Sequence, residues 1–119
     1  MKYMLLIHQG AAPTPRSPDV WASLSEDEQK AVYTDYQAIN ETPGVSPGLQ
    51  LAPPETATTV RVQDGKTLTT DGPFVEIKEA IGGYLVFGAD DLDAAIELAS
   101  QVPAARMGGA IEVRPIVEW

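Results

Sequence analysis

The chain has 119 residues, 44% of them hydrophobic, with 17 acidic against 8 basic side chains, a net charge of −9 and no cysteine. That length and apolar content give one domain, residues 1–119, with a core of its own. The acidic balance argues against nucleic acid and anionic membranes, which are held through Lys and Arg, and the missing cysteines exclude disulfides and thiolate chemistry and fit a cytoplasmic location.

Residues 2–8 form a short, nearly continuous apolar run, the pattern of a strand buried on both faces. In that strand Met4, Leu6 and His8 point one way and Tyr3, Leu5 and Ile7 the other. The run is too short for a leader and no small-residue cleavage site follows it. Nowhere does the chain approach the roughly 20 apolar residues of a membrane span. Three prolines and a glycine make residues 9–18 a loop, long enough to serve as a flap.

Ser25-Glu26-Asp27-Glu28 is a capping box that opens the first helix, with Val32, Tyr36 and Ile39 as its apolar stripe. Pro43-Gly44 ends it. A second strand falls within residues 45–51, interrupted by Pro47-Gly48. Two Thr-rich runs, residues 57–62 and 66–70, flank Asp64-Gly65, a type I′ hairpin signal whose strands expect one wet face. Residues 82–88 are again a short apolar strand. Asp90 or Asp91 caps a second helix with a stripe of Leu92, Ala95, Ile96 and Ala99, which Pro103 stops. Residues 110–117 form the last strand, and Pro115 marks it as an edge or a bulge.

The order β-α-β, hairpin, β-α-β predicts an α+β fold, a ferredoxin-like split βαβ with an inserted β-hairpin. The two strands that read as apolar on both faces are its central ones. Two helices cover only one face of the sheet, so a second copy covering the other is expected, giving a homodimer.

Between the halves stands Thr70-Asp71-Gly72-Pro73-Phe74, followed by Lys78-Glu79. With Met1-Lys2-Tyr3-Met4-Leu5-Leu6-Ile7, Leu24-Ser25-Glu26-Asp27-Glu28-Gln29, Gly48-Leu49-Gln50-Leu51, Gly82-Gly83-Tyr84 and Ile111-Glu112-Val113-Arg114-Pro115, it makes the chain resemble the YCII-related family. The branch it resembles is the DGPF-domain one. The resemblance runs nearly end to end. It implies a dimeric α+β barrel and a family without an assigned reaction, whose wider relatives include cofactor-free enzymes. A related branch has been proposed to use a His–Asp dyad with the His near the first helix. Residues 25–39 contain no histidine, so that dyad is not carried over.

The catalytic candidates are Asp71 and His8. Asp71 either caps a tight turn or, beside Glu76 and Glu79, serves as acid or base. His8, the single histidine, ends a central strand, either as a half-buried residue or as a proton carrier. Phe74, Tyr84 and Glu79 are the substrate-binding candidates, with core packing and surface ion pairs as the plainer readings. One His and no Cys leave only carboxylates to complete a metal shell, and no GxGxxG or Walker pattern is present, so neither a metal site nor a cofactor is expected. Two functions remain: a cofactor-free enzyme acting on a small organic molecule by acid/base chemistry, or a non-catalytic small-ligand-binding or regulatory dimer.

Overall fold

The computed structural model describes residues 1–10, 18–52, 56–71 and 81–118. Its elements are β1 (Lys2–His8), α1 (Pro18–Ala22), α2 (Glu26–Glu41), β2 (Val45–Ser46), β3 (Thr58–Gln63), β4 (Lys66–Asp71), β5 (Ile81–Gly88), α3 (Leu92–Ser100), α4 (Pro103–Arg106) and β6 (Ala110–Pro115). Four strands make one antiparallel sheet in the order β2-β5-β1-β6, the arrangement of a ferredoxin-like split βαβ. The hairpin β3–β4 forms a separate two-stranded sheet.

The sheet has two unlike faces, and the alternation of side chains along each strand makes them so. Tyr3, Leu5 and Ile7 of β1 are buried with Leu85 and Phe87 of β5, and Ile111 and Val113 of β6 pack against them. Ile39 of α2, Ala95, Leu98 and Ala99 of α3, and then Val102 and Ala104 close this core. The opposite face carries Met4, Leu6 and His8 of β1, Tyr84 and Val86 of β5 and Glu112 of β6, all half-buried. Helices thus cover one face among the described residues, as the element count anticipates.

Local signals fix the ends of elements. The Ser25 hydroxyl accepts from the Glu28 N–H at 3.1 Å, and the Glu28 carboxylate accepts from the Ser25 N–H at 3.1 Å. Asp91 caps α3 by accepting from the Ala94 N–H at 2.9 Å. In the hairpin turn Asp64 (φ 51°) and Gly65 (φ 75°) both lie in the left-handed region, as a type I′ turn demands. Pro115 lies on β6, an edge strand with no ladder to complete on its outer side.

Three local readings change. The buried stripe of α3 is Ala95, Leu98 and Ala99, whereas Leu92 (48% exposed) and Ile96 (50% exposed) face outward. Both sets have helical spacing, and contact with the sheet chooses between them. Pro103 opens the short helix α4 as well as closing α3, since proline is at ease in a first helical turn. The hairpin, detached from the main sheet, exposes Val60 and Val62 on one face and Leu68 on the other, so neither face is dry. The second strand falls within residues 45–51 as expected, with β2 as its two residues before Pro47-Gly48.

After β2 the chain bends at Pro47-Gly48 and rejoins β5. There the Tyr84 N–H donates to the Leu49 carbonyl at 3.3 Å and the Leu51 N–H to the Gly82 carbonyl at 2.8 Å. At Gly48 a β-carbon would fall 1.7 Å from the Tyr84 carbonyl oxygen, so the backbone approach there depends on glycine.

Candidate functional site

A cavity of about 240 Å³ lies on the helix-covered side, between α2, the central strands, α4 and the segment that rejoins β5. Ile7 and Leu85 form part of its lining from the sheet, and Pro103, Ala104 and Met107 from the α4 side. Val32, Tyr33, Tyr36 and Asn40 come from α2. Tyr33, Tyr36 and Asn40 fall at i, i+3 and i+7, one stripe of the helix. Val32 is buried yet stands outside the main core cluster. Gln9 and Gln50 contribute carboxamides. Each described residue lining the cavity is formally uncharged.

Two supports hold the α2 side. Trp21 of α1 meets Tyr33 edge to face, with centroids 5.6 Å apart and planes at 76°. The Gln29 carboxamide donates to the Trp21 carbonyl at 3.0 Å, tying α1 to α2. Arg106 pairs with Asp35 at 2.5 Å, linking α4 to α2. Burial pushes the Tyr36 phenol above its ordinary value, with the Arg106 charge pulling the other way.

The second chemical cluster lies on the opposite sheet face. His8 Nε2 is 3.2 Å from Glu112 Oε1, and the Arg114 guanidinium also donates to the Glu112 carboxylate. The hydrogen bonds from Arg114 and then from His8 hold the Glu112 carboxyl below the usual carboxylate range. β1 pairing explains the contact: Leu6 stands opposite both Glu112 and Tyr84, one step from His8 on the same face.

The candidates therefore separate. His8 is on the open face, while its neighbours Ile7 and Gln9 line the cavity. Tyr84 shares the open face by the alternation of β5 and also borders the cavity beside Gly48. Asp71 ends β4, its backbone paired with Thr58 in the hairpin. Phe74 and Glu79, like residues 11–17 of the flap expected over residues 9–18, lie outside the described residues. Sequence reasoning missed Gln9, Tyr33, Asn40, Gln50 and Met107, and took Tyr36 as core alone. A tyrosine in an apolar helical stripe brings a hydroxyl to an otherwise greasy surface, which was the available signal.

A family model for the YCII-related domain matches residues 1–119. The chain belongs to the YCII-related family. It is 32% identical over 102 residues, 82% of each chain, to a Rhizobium meliloti (strain 1021) protein named only as uncharacterized protein R00369. The helix α2 of this YCII-related protein has no histidine. Among its described residues no group of three or more His, Cys, Asp or Glu is placed to hold a metal ion, and no helix is long and apolar enough to cross a membrane.

The Tyr36 shift carries a pH signature. A folded-state pKa above the unfolded value means that the stabilising contribution is complete below the ordinary 10.0 and is lost as pH rises through the higher folded value. Denaturant midpoints measured from pH 9 upward are expected to fall more steeply for the wild type than for Tyr36→Phe. Parallel curves would show that the phenol is not held in its neutral form.

Proposed function

We propose that this YCII-related protein binds a small organic molecule in the cavity beneath α2. The observation that carries the reading is the cavity itself, at about 240 Å³ with an apolar floor and a few polar groups. An apolar cavity of about 150 Å³ takes up benzene, and drug-sized ligands occupy about 300 Å³ or more. A single-ring compound is the matching size. Thermal unfolding of the purified protein against a panel of single-ring compounds tests this. A ligand at about 100 times its Kd contributes about 2.7 kcal/mol, which raises the melting temperature by several degrees. A panel that leaves the transition unmoved at millimolar concentrations rules the reading out.

A second reading, a cofactor-free enzyme working by acid/base chemistry, is favoured by the His8–Glu112 pair. There a carboxylate orients the imidazole, with Tyr84 on the same face. It is tested by product formation from lactones, quinones and hydroxylated aromatics. Turnover undiminished in both His8→Asn and Asp71→Asn would remove those residues from the chemistry.

We also propose a homodimer through the open sheet face, completing a dimeric α+β barrel. Met4, Leu6 and Val86 give that face an apolar centre, and Glu112 and Arg114 a charged border. Sedimentation equilibrium is expected to show a dimer that Leu6→Asp converts to monomer. A wild type that is monomeric at micromolar concentration excludes it. The Asp71-Gly72-Pro73-Phe74 signature supports assignment to the DGPF branch, and the cysteine-free composition supports a cytoplasmic protein.

A further inference from the structure

We propose that the cavity selects uncharged single-ring compounds carrying a hydroxyl or carbonyl group, and that the Tyr36 hydroxyl is their anchoring partner. This rests on the binding reading above and names the class of ligand.

The first argument is charge. In this chain 21% of residues are charged, yet every described residue lining the cavity is neutral. An ion entering such a space gives up its hydration and meets no counter-charge. Among the described residues Arg106 is the cation whose charge acts on the Tyr36 phenol, and its guanidinium is engaged with Asp35 at 2.5 Å. The net charge of −9 further disfavours an anion approaching the mouth.

The second argument is hydrogen bonding. Tyr33, Tyr36, Asn40, Gln9 and Gln50 bring two hydroxyls and three carboxamides to the lining. Each of these groups both donates and accepts, which suits a neutral hydroxyl, amide or ketone. None of the five side chains hydrogen-bonds another residue of the described structure, so this capacity faces solvent or a ligand. Burial keeps the Tyr36 phenol in its neutral, donating form above the ordinary phenol range. Tyr36 also lies in the middle of the α2 stripe, between Tyr33 and Asn40, and shares the lining with the apolar Ile7, Val32 and Leu85.

The third argument is size. About 240 Å³ admits one substituted ring and leaves little room for a second, so affinity must come from that ring and its one or two polar groups.

The test uses four probes of one ring and similar volume: benzamide and benzyl alcohol, which are neutral, and benzoate and benzylamine, which are charged at pH 7. Binding to the full chain is measured by titration calorimetry. Trp21 fluorescence in a Trp119→Phe background serves as a local reporter, because Trp21 meets Tyr33 of the lining edge to face. Benzamide or benzyl alcohol is expected to bind and to perturb Trp21, with the charged probes weaker by about 100-fold, the consequence of an unpaired charge leaving water. Tyr36→Phe is expected to weaken the neutral probe by about fivefold to tenfold, as for one lost hydrogen bond.

The outcomes separate the two readings. Benzoate or benzylamine binding as tightly as benzamide overturns the selection while leaving the cavity a binding site. Failure of all four probes removes the binding reading itself. Unchanged affinity in Tyr36→Phe overturns the anchoring role. Should that variant not fold, ring-labelled tyrosine spectra of the wild type decide. Benzamide must shift the Tyr36 resonances and leave those of Tyr3, a core residue outside the lining, in place; the opposite result overturns the assignment.

Discussion

Replacing Leu5 with alanine is expected to cost about 3–5 kcal/mol of folding stability. Leu5 is fully buried (0% exposed) at the middle of β1. Its backbone neighbours are Leu85 on one side and Val113 on the other. The truncation leaves a void between three strands and the helices above them, and two ladders hold β1 too firmly for it to close. A domain of this size has about 5–15 kcal/mol to lose, so the loss is a large part of the whole. Urea unfolding should show a lower midpoint with an unchanged slope. Leu6→Ala, one residue on but facing the open side, supplies the control. If Leu6→Ala cost as much in a sample verified as monomeric, the distinction between the two sheet faces would be wrong.

The second large effect is expected at Gly48. An alanine β-carbon there would stand 1.7 Å from the Tyr84 carbonyl oxygen and 2.5 Å from its carbon. Both are backbone atoms of a central strand, so nothing nearby can rotate away. The segment has to lift, and lifting breaks the bonds between Leu49 and Tyr84 and between Leu51 and Gly82. A cost of about 3 kcal/mol is expected, the upper end for forced overpacking. Gly65→Ala is the comparison. Its β-carbon meets nothing within 4 Å, and only its φ of +75° opposes the change. That costs about 1 kcal/mol. Equal melting temperatures for the two variants would contradict the close approach at Gly48. The displaced segment carries Leu49 and Gln50 of the cavity lining, so Gly48→Ala is also expected to weaken whatever binds there.

Much of the architecture could be read from residues alone because its signals are local. The alternation in β1, the Ser25–Glu28 box, the Asp64-Gly65 turn and the edge proline each depend on a few neighbours, and all reappear in place. The α3 stripe shows where local pattern stops deciding. Leu92 with Ile96, and Ala95 with Leu98 and Ala99, are equally good helical faces. Ala95, Leu98 and Ala99 are the buried set because they join the core residues of β1 and β5.

The cavity was harder to foresee for a different reason. Its lining comes from β1, α2, the residues after β2, β5 and the region of α4, and no window of sequence contains them together. The His8–Glu112 contact spans 104 positions and exists only through the β1–β6 register. Asp71 attracted notice because chemistry-bearing residues cluster near it in sequence, whereas the cavity is lined by neutral tyrosines and carboxamides that no motif flags.

The place of β1 between β5 and β6 also governs when this chain can become a folded protein. Tyr3 pairs with Phe87 on one side and Pro115 on the other. Among the described strands, the first in chain order is thus the one whose partners come last. Until residues 110–115 pair with it, Leu5 and its neighbours have at most half their ladder. Closing loops of this length before any reward is gained makes folding slow. During that interval an apolar strand with open edges is at its most exposed to aggregation. The turn at Asp64-Gly65 can close early, but its hairpin adds no strand to the sheet. The kinetic burden therefore rests on the N-terminal segment, and cellular yield should respond to changes there before it responds to changes in the hairpin.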